Sequence, residues 1–185
     1  MKMKKTIVYG FLAVILTLAF TACSKSGGGS GGGGKSLNSP TELNEYLDKQ
    51  PANSPDNPIR VAMKANDNML GSISNAIGAA GKYVSLDLSG SPLTEIPPLT
   101  FLGCSTLVGI IIPNGVTNIV NGAFADCENL TRVTFQGTMA FDTYRDAIIN
   151  GHYDAPFDGD LRGKYLAGGI GTYTRASGSY TWTKQ

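Results

Sequence analysis

The chain has 185 residues, with 15 basic and 14 acidic side chains, a net charge of +1, three cysteines and a single histidine. A balance this even gives no electrostatic case for nucleic acid or an anionic membrane surface as a partner. One histidine, His152, in a Gly-His-Tyr-Asp context, leaves a hydrolytic triad or a histidine metal site without partners, and it reads as a surface loop residue.

In chain order, Lys2, Lys4 and Lys5 precede an uncharged, largely apolar run from Thr6 to Phe20, which ends in Thr21-Ala22-Cys23. The run is shorter than the ~20 residues of a spanning helix, so residues 1–22 read as a secretory signal. A small residue directly before a cysteine resembles the lipobox of bacterial lipoproteins. That resemblance implies cleavage before Cys23 and diacylation of Cys23 as the new N-terminus, with membrane attachment through that lipid. A plain signal peptide with an incidental cysteine is the alternative. Loss of Lys2, Lys4 and Lys5 leaves 12 basic against 14 acidic residues, a net of −2.

Residues 23–38 are read as the lipidated cysteine and a tether, since Gly27 to Gly34 contains one serine and otherwise only glycine. Fifteen such residues hold a domain about 20 Å from its anchor on average. A linker of engineered origin is the bland alternative. Residues 39–82 follow as an N-terminal cap. Ser39-Pro40-Thr41-Glu42 predicts a helix start, with Ser39 as N-cap and Glu42 as the capping-box acid. Leu43, Tyr46 and Leu47 lie on one stripe. After the Pro51 to Pro58 loop, Ile59, Val61 and Met63 alternate as a strand. Met69, Ile73, Ile77 and Ala80 then recur at helical spacing up to Gly81.

Residues 83–137 carry a repeat. Phe101, Cys104, Leu107, Ile110 and Ile112 recur as Phe124, Cys127, Leu130, Val133 and Phe135, each 23 residues on. Leu93 and Ile96 recur as Val116 and Ile119 at the same offset. An incomplete copy, Tyr83, Leu86 and Leu88, stands 24 residues before Leu107, Ile110 and Ile112, which places one inserted residue in the Ser89 to Pro92 turn. A period in the low twenties predicts an α/β solenoid of about two to three coils, in which stacking makes the core. Each coil contributes one short parallel strand, and the Pro- and Gly-rich remainder carries the chain back.

Leu107, Ile110, Ile112, Pro113, Val116, Ile119, Ala123-Phe124, Cys127, Leu130, Val133 and Phe135 together resemble the BspA-like bacterial leucine-rich repeat. The resemblance implies a short leucine-rich-repeat array between a helix-and-strand N-terminal cap and a small C-terminal cap. It also implies exposure at the cell surface or secretion, and adhesin-like binding of host matrix or other cells.

Residues 138–185 read as a C-terminal cap or an appended module, because the repeat pattern stops after Gln136. Phe141, Tyr144, Ala147, Ile148 and Ile149 predict a short helix or an apolar-sided loop ended by Asn150-Gly151. Leu161, Tyr165 and Leu166 predict a brief helix, and Thr172 to Arg175 with Ser179 to Thr183 a polar hairpin. Residues 159–175 also resemble a tail found in lipoproteins of this repeat family.

Candidate sites follow from the strand alternation. With Leu86, Leu88, Ile110, Ile112, Val133 and Phe135 pointing inward, Ser85, Asp87, Ile111, Arg132 and Thr134, with Gly109 among them, form the outward columns of a concave face. That face is the expected partner-binding surface. Cys104 and Cys127 sit one coil apart at equivalent positions, as buried free thiols or a disulfide. Asp154, Asp158 and Asp160 form the one acidic cluster, read as turn or N-cap groups because their spacing matches no calcium loop. No catalytic residue, metal or cofactor is expected. The reading is a lipid-anchored protein of the bacterial cell envelope, at the outer membrane or cell surface, binding a protein ligand. A structural envelope component and a carbohydrate-contacting C-terminal hairpin are the alternatives.

Overall fold

A computed structural model describes residues 34–141 and 155–185. The signal, Cys23, most of the tether, residues 142–154 and with them His152 and Asp154 lie outside the described residues. Seven strands stand side by side in one sheet: β1 (Lys35–Leu37), β2 (Ile59–Met63), β3 (Val84–Asp87), β5 (Leu107–Ile112), β7 (Arg132–Phe135), β9 (Gly171–Thr174) and β10 (Thr183–Lys184). The first five run parallel, and β9 and β10 antiparallel. Three two-residue strands, β4 (Glu95–Ile96), β6 (Asn118–Ile119) and β8 (Ala140–Phe141), make a second parallel sheet. The return of each coil, for which the sequence predicts a Pro- and Gly-punctuated crossover, thus carries a ladder of its own. Together the two ladders define a solenoid-like α/β fold.

At the N-terminal side the tether ends earlier than expected. Lys35–Leu37 pairs with Val61–Met63 and buries Leu37, so residues 35–37 are a strand. Helix α1 (Pro40–Asp48) starts where its caps place it: Ser39 Oγ accepts Glu42 N at 3.1 Å. The Glu42 carboxylate reaches back to Asn38 N at 2.8 Å, one residue before the N-cap. Helix α2 (Leu70–Ala80) follows a 3₁₀ turn at Asp67–Met69 and ends at Gly81, whose φ of 58° only glycine adopts without strain. The two helices pack on one another, and their Leu43, Leu47, Ile73 and Ile77 are fully buried in one core. This segment is tied to the first coil by side chains standing in for backbone. Asn53 exchanges bonds with Tyr83 N and O, at 3.0 and 2.7 Å. Buried Ser91 donates to Met63 O at 2.9 Å and accepts from Ala65 N at 3.0 Å.

The coils stack in register, with one irregularity. Gly109, Ile110, Ile111 and Ile112 face Arg132, Val133, Thr134 and Phe135. Between β3 and β5 the register shifts, because Val84 pairs with Leu107 while Ser85 pairs with Gly109. Val108 is the extra residue, a bulge. The core partner of Leu107 is therefore Val84, fully buried, and not half-buried Tyr83, which the spacing of 24 residues aligns with it. The extra residue of the Ser89 to Pro92 turn restores the offset of 23, so Glu95 pairs with Asn118.

The repeat also runs on beyond Gln136, where the sequence reading ended it. Met139 is buried with Leu93 and Val116, and Ala140–Phe141 pairs with Asn118–Ile119. Phe157 then completes a column: the rings of Phe101 and Phe124 stack with centroids 5.1 Å apart, and those of Phe124 and Phe157 at 4.6 Å, both within 6° of parallel. The backbone agrees with the rings. Phe101 N and Gly103 N donate to Ala123 O and Ala125 O, and one coil on Phe124 N and Asp126 N donate to Pro156 O and Asp158 Oδ1. Residues 155–158 occupy the place of a further coil, with a carboxylate as the last acceptor.

The C-terminal segment adds a helix and two antiparallel strands. Helix α3 (Leu161–Gly168) buries Leu161 and Tyr165, while Leu166, expected to face inward, is 60% exposed. The Tyr165 hydroxyl accepts Met139 N and donates to Gly137 O, both at 3.0 Å. Strand β9 pairs antiparallel with β7, and β10 with β9. Phe124→Ala empties the middle of the ring column, and we expect a loss of about 3–5 kcal/mol of stability in chemical denaturation.

Candidate binding face of the sheet

Alternation along the strands sends one set of side chains into the core and the other to solvent. Leu86, Leu88, Phe101, Cys104, Leu107, Ile110, Ile112, Phe124, Cys127, Leu130, Val133 and Phe135 lie in one buried cluster. Ser85, Asp87, Ile111 and Thr134 are half-buried on the opposite side of the sheet, and Arg132 is exposed there. Register brings them into two rows. Arg60, Ser85, Gly109, Arg132, Thr174 and Thr183 form the first, and Ala62, Asp87, Ile111, Thr134 and Thr172 the second.

Arg60, Ala62, Thr172 and Thr174 were missing from the sequence reading. Its signal was available: Ile59, Val61 and Met63 alternate, and their outward neighbours belong to the face once β2 joins the sheet. The hydroxyls of Thr134 and Thr172 bond across strands at 2.9 Å. The Asp87 carboxylate is occupied by Ser89 N at 2.8 Å. Neither Arg60 nor Arg132 meets a hydrogen-bonding or ionic partner among the described residues, where the one ion pair is Lys164–Asp160 at 3.7 Å.

The remaining candidates have structural roles. Cys104 and Cys127 are free and buried, and Cys127 Sγ donates to Phe101 O at 3.0 Å. Burial pushes both thiols up, and for Cys127 the neighbouring Cys104 adds to the effect, so both stay protonated and unreactive. Asp160 stands before α3, and its carboxylate accepts Trp182 N at 2.7 Å. Among the described residues no three His, Cys, Asp or Glu side chains gather as a metal site. Trp182, read from sequence as part of a surface hairpin, is buried, with Nε1 on Asp158 O at 3.1 Å and the Arg175 guanidinium 4.9 Å from its ring centre. Arg175 also donates to Leu130 O, Cys127 O and Ser179 O, at 2.7, 3.0 and 3.1 Å. Tyr180 is left as the exposed aromatic of that region, beside a shallow groove of about 340 Å³.

A parallel, solenoid-like array with one solvent-facing sheet is the architecture of a repeat-built binding module. A family model described as "BspA type Leucine rich repeat region (6 copies)" matches residues 64–145. This stretch is a BspA-like leucine-rich-repeat region, and it reaches past both expected limits, 83 and 137, as the ladders do. A search of curated proteins and one of solved structures returned no match. Leucine-rich repeats are typically non-catalytic modules of protein–protein interaction.

Desolvation raises the Asp158 carboxyl above its ordinary range, opposed by the Asp126 N–H and by Arg175. Its folded pKa therefore exceeds the unfolded one. The folded chain holds the extra proton, so this group's contribution is fully present below the unfolded value and lost as pH rises through the folded one. Asp158→Asn keeps an acceptor for Asp126 N without the desolvated charge. We expect it to be no less stable than the parent at pH 7 and to show a flatter stability profile from mild acid upward, read by thermal unfolding across pH.

Proposed function

We propose that this chain is an exported binding protein of the bacterial cell envelope, held by lipid on Cys23 and engaging a protein partner at the cell surface through the outer face of its sheet. The observation that carries the reading is the face itself. Arg60 and Arg132 stand exposed and without a counter-ion, and half-buried Ile111 lies in the neighbouring row among Asp87 and Thr134. Mixed patches of this kind suit a protein partner, because arginine and an apolar contact supply affinity together. Anchoring is supported by the sequence: three lysines, an apolar run too short to span, and Thr21-Ala22-Cys23 before a glycine-rich stretch.

The flanking segments fit a capping role on the same reading. Residues 39–82 add β2 and two helices beside the first coil, and residues 155–185 occupy the last ladder positions. Each covers an edge and an apolar end that would otherwise recruit other chains.

Protease treatment of intact cells tests the location, with a Cys23→Ser control. Digestion of the repeat region in unbroken cells, and loss of membrane association in the control, are the expected results. Resistance until the envelope is opened would place the domain inside and end the adhesin reading. Paired substitutions Ile111→Ser and Arg132→Ala should then lower adhesion to matrix or host cells by tenfold or more, as expected for central contacts of about 1–2 kcal/mol each.

A further inference from the structure

The two unpaired arginines of the outer face stand in one row, and the geometry of that row is specific enough to name a ligand class. We propose, building on the binding role above, that this face takes an extended acidic peptide segment laid across the strands, with carboxylates at i and i+4 meeting Arg60 and Arg132.

Register aligns Arg60, Ser85, Gly109 and Arg132 on successive strands. Three strand spacings separate the arginines, about 14 Å. An extended chain advances 3.3–3.4 Å per residue, so four residues cover about 13–14 Å, and an even separation keeps both side chains on one side. Between the arginines Gly109 is buried: a Cβ there would stand 3.0 Å from Ser85 Oγ and 3.7 Å from the Arg132 Cβ, so the missing side chain lets Ser85 and Arg132 close over that strand and adds no bulk between the two guanidinium groups.

Charge points the same way. Both arginines are exposed, and neither has an anionic or hydrogen-bonding partner among the described residues. A planar guanidinium takes a carboxylate in a bidentate grip, which gives geometric specificity as well as attraction. Asp87, the acid on the outward positions of β2, β3, β5 and β7, lies in the neighbouring row and is held by Ser89 N. Ile111 in that row offers an apolar flank, which favours a peptide over a sulfated polysaccharide, the other polyanion a basic face attracts.

The test uses the full-length protein purified in detergent and fluorescent nine-residue Gly/Ser peptides carrying glutamates at i and i+4, or one glutamate only. Anisotropy titrations at low salt should show the two-acid peptide binding about tenfold more tightly, the gain of one charge-assisted contact. Raising the salt should narrow that gap. Arg60→Ala or Arg132→Ala should remove it, and Arg60→Lys should retain part of it. Equal affinity for the two peptides, or a gap that survives in both alanine variants, overturns the proposal. Binding of dextran sulfate without peptide binding overturns it in favour of a polyanionic glycan. The two readings fail separately. If Ile111 and Arg132 substitutions abolish cell adhesion while the peptides show no gap, the face binds a partner by other chemistry. If the gap appears while adhesion is untouched, the acidic-segment site stands without the adhesive role.

Discussion

Parallel stacking of coils imposes a condition that organises this molecule: a backbone donor that its own coil does not satisfy needs an acceptor on a neighbouring coil. Within the array the condition is met by repetition. Thr117 N reaches Thr94 O, and Ala140 N reaches Thr117 O, so each coil does for its predecessor what its successor does for it. The stacked rings of Phe101, Phe124 and Phe157 are the side-chain counterpart, one large apolar group per coil at near-constant spacing. A short array has ends close to everything, and each end leaves donors and acceptors to be satisfied by something that is not a coil.

This chain solves the ends with side chains that imitate backbone. At the start, the Asn53 amide meets Tyr83 as a neighbouring strand would, and Ser91 bridges Met63 O and Ala65 N. At the finish, the Asp158 carboxylate takes the Asp126 N–H, and the Arg175 guanidinium takes the carbonyls of Cys127 and Leu130. Asp126 adopts a φ of 57° where the preceding coil has Gly103 at 66°. A non-glycine residue there is strained, and Asp is among the side chains that tolerate it. The raised Asp158 carboxyl is one electrostatic cost of this arrangement, and the Arg175 stack over Trp182 is part of what holds it.

The fold was legible wherever side-chain period and covalent offset coincide. The step of 23 residues exposed the core columns from Leu93 to Phe135, and the Ser39, Pro40 and Glu42 signals fixed a helix without any knowledge of its neighbours. It became illegible where geometry and offset part. Phe157 follows Phe124 by 33 residues because 142–154 intervene, so no fixed-period comparison finds it. Val108 adds a residue inside a strand, and spacing alone cannot distinguish a bulge from a shifted start, which is why Tyr83 stood in for Val84. Composition misled at Trp182, whose hairpin is polar although its ring is enclosed. The outer face was half legible. Its columns on β3, β5 and β7 follow from alternation, whereas Arg60 and Thr174 join only through strand pairings of segments that do not repeat.

The outer face depends on those ends, because its rows are set by the ladders beneath them. Residues 155–158 stand where a further coil would stand, and hydrogen exchange at single amides reads whether they seal the last repeat. Phe124 and Asp126, whose acceptors are Pro156 O and Asp158 Oδ1, should exchange as slowly as Phe101 and Gly103, whose acceptors lie inside the array. Fast exchange at Phe124 and Asp126 beside slow exchange at Phe101 and Gly103 would contradict it, leaving the last coil open and the C-terminal segment an appendage.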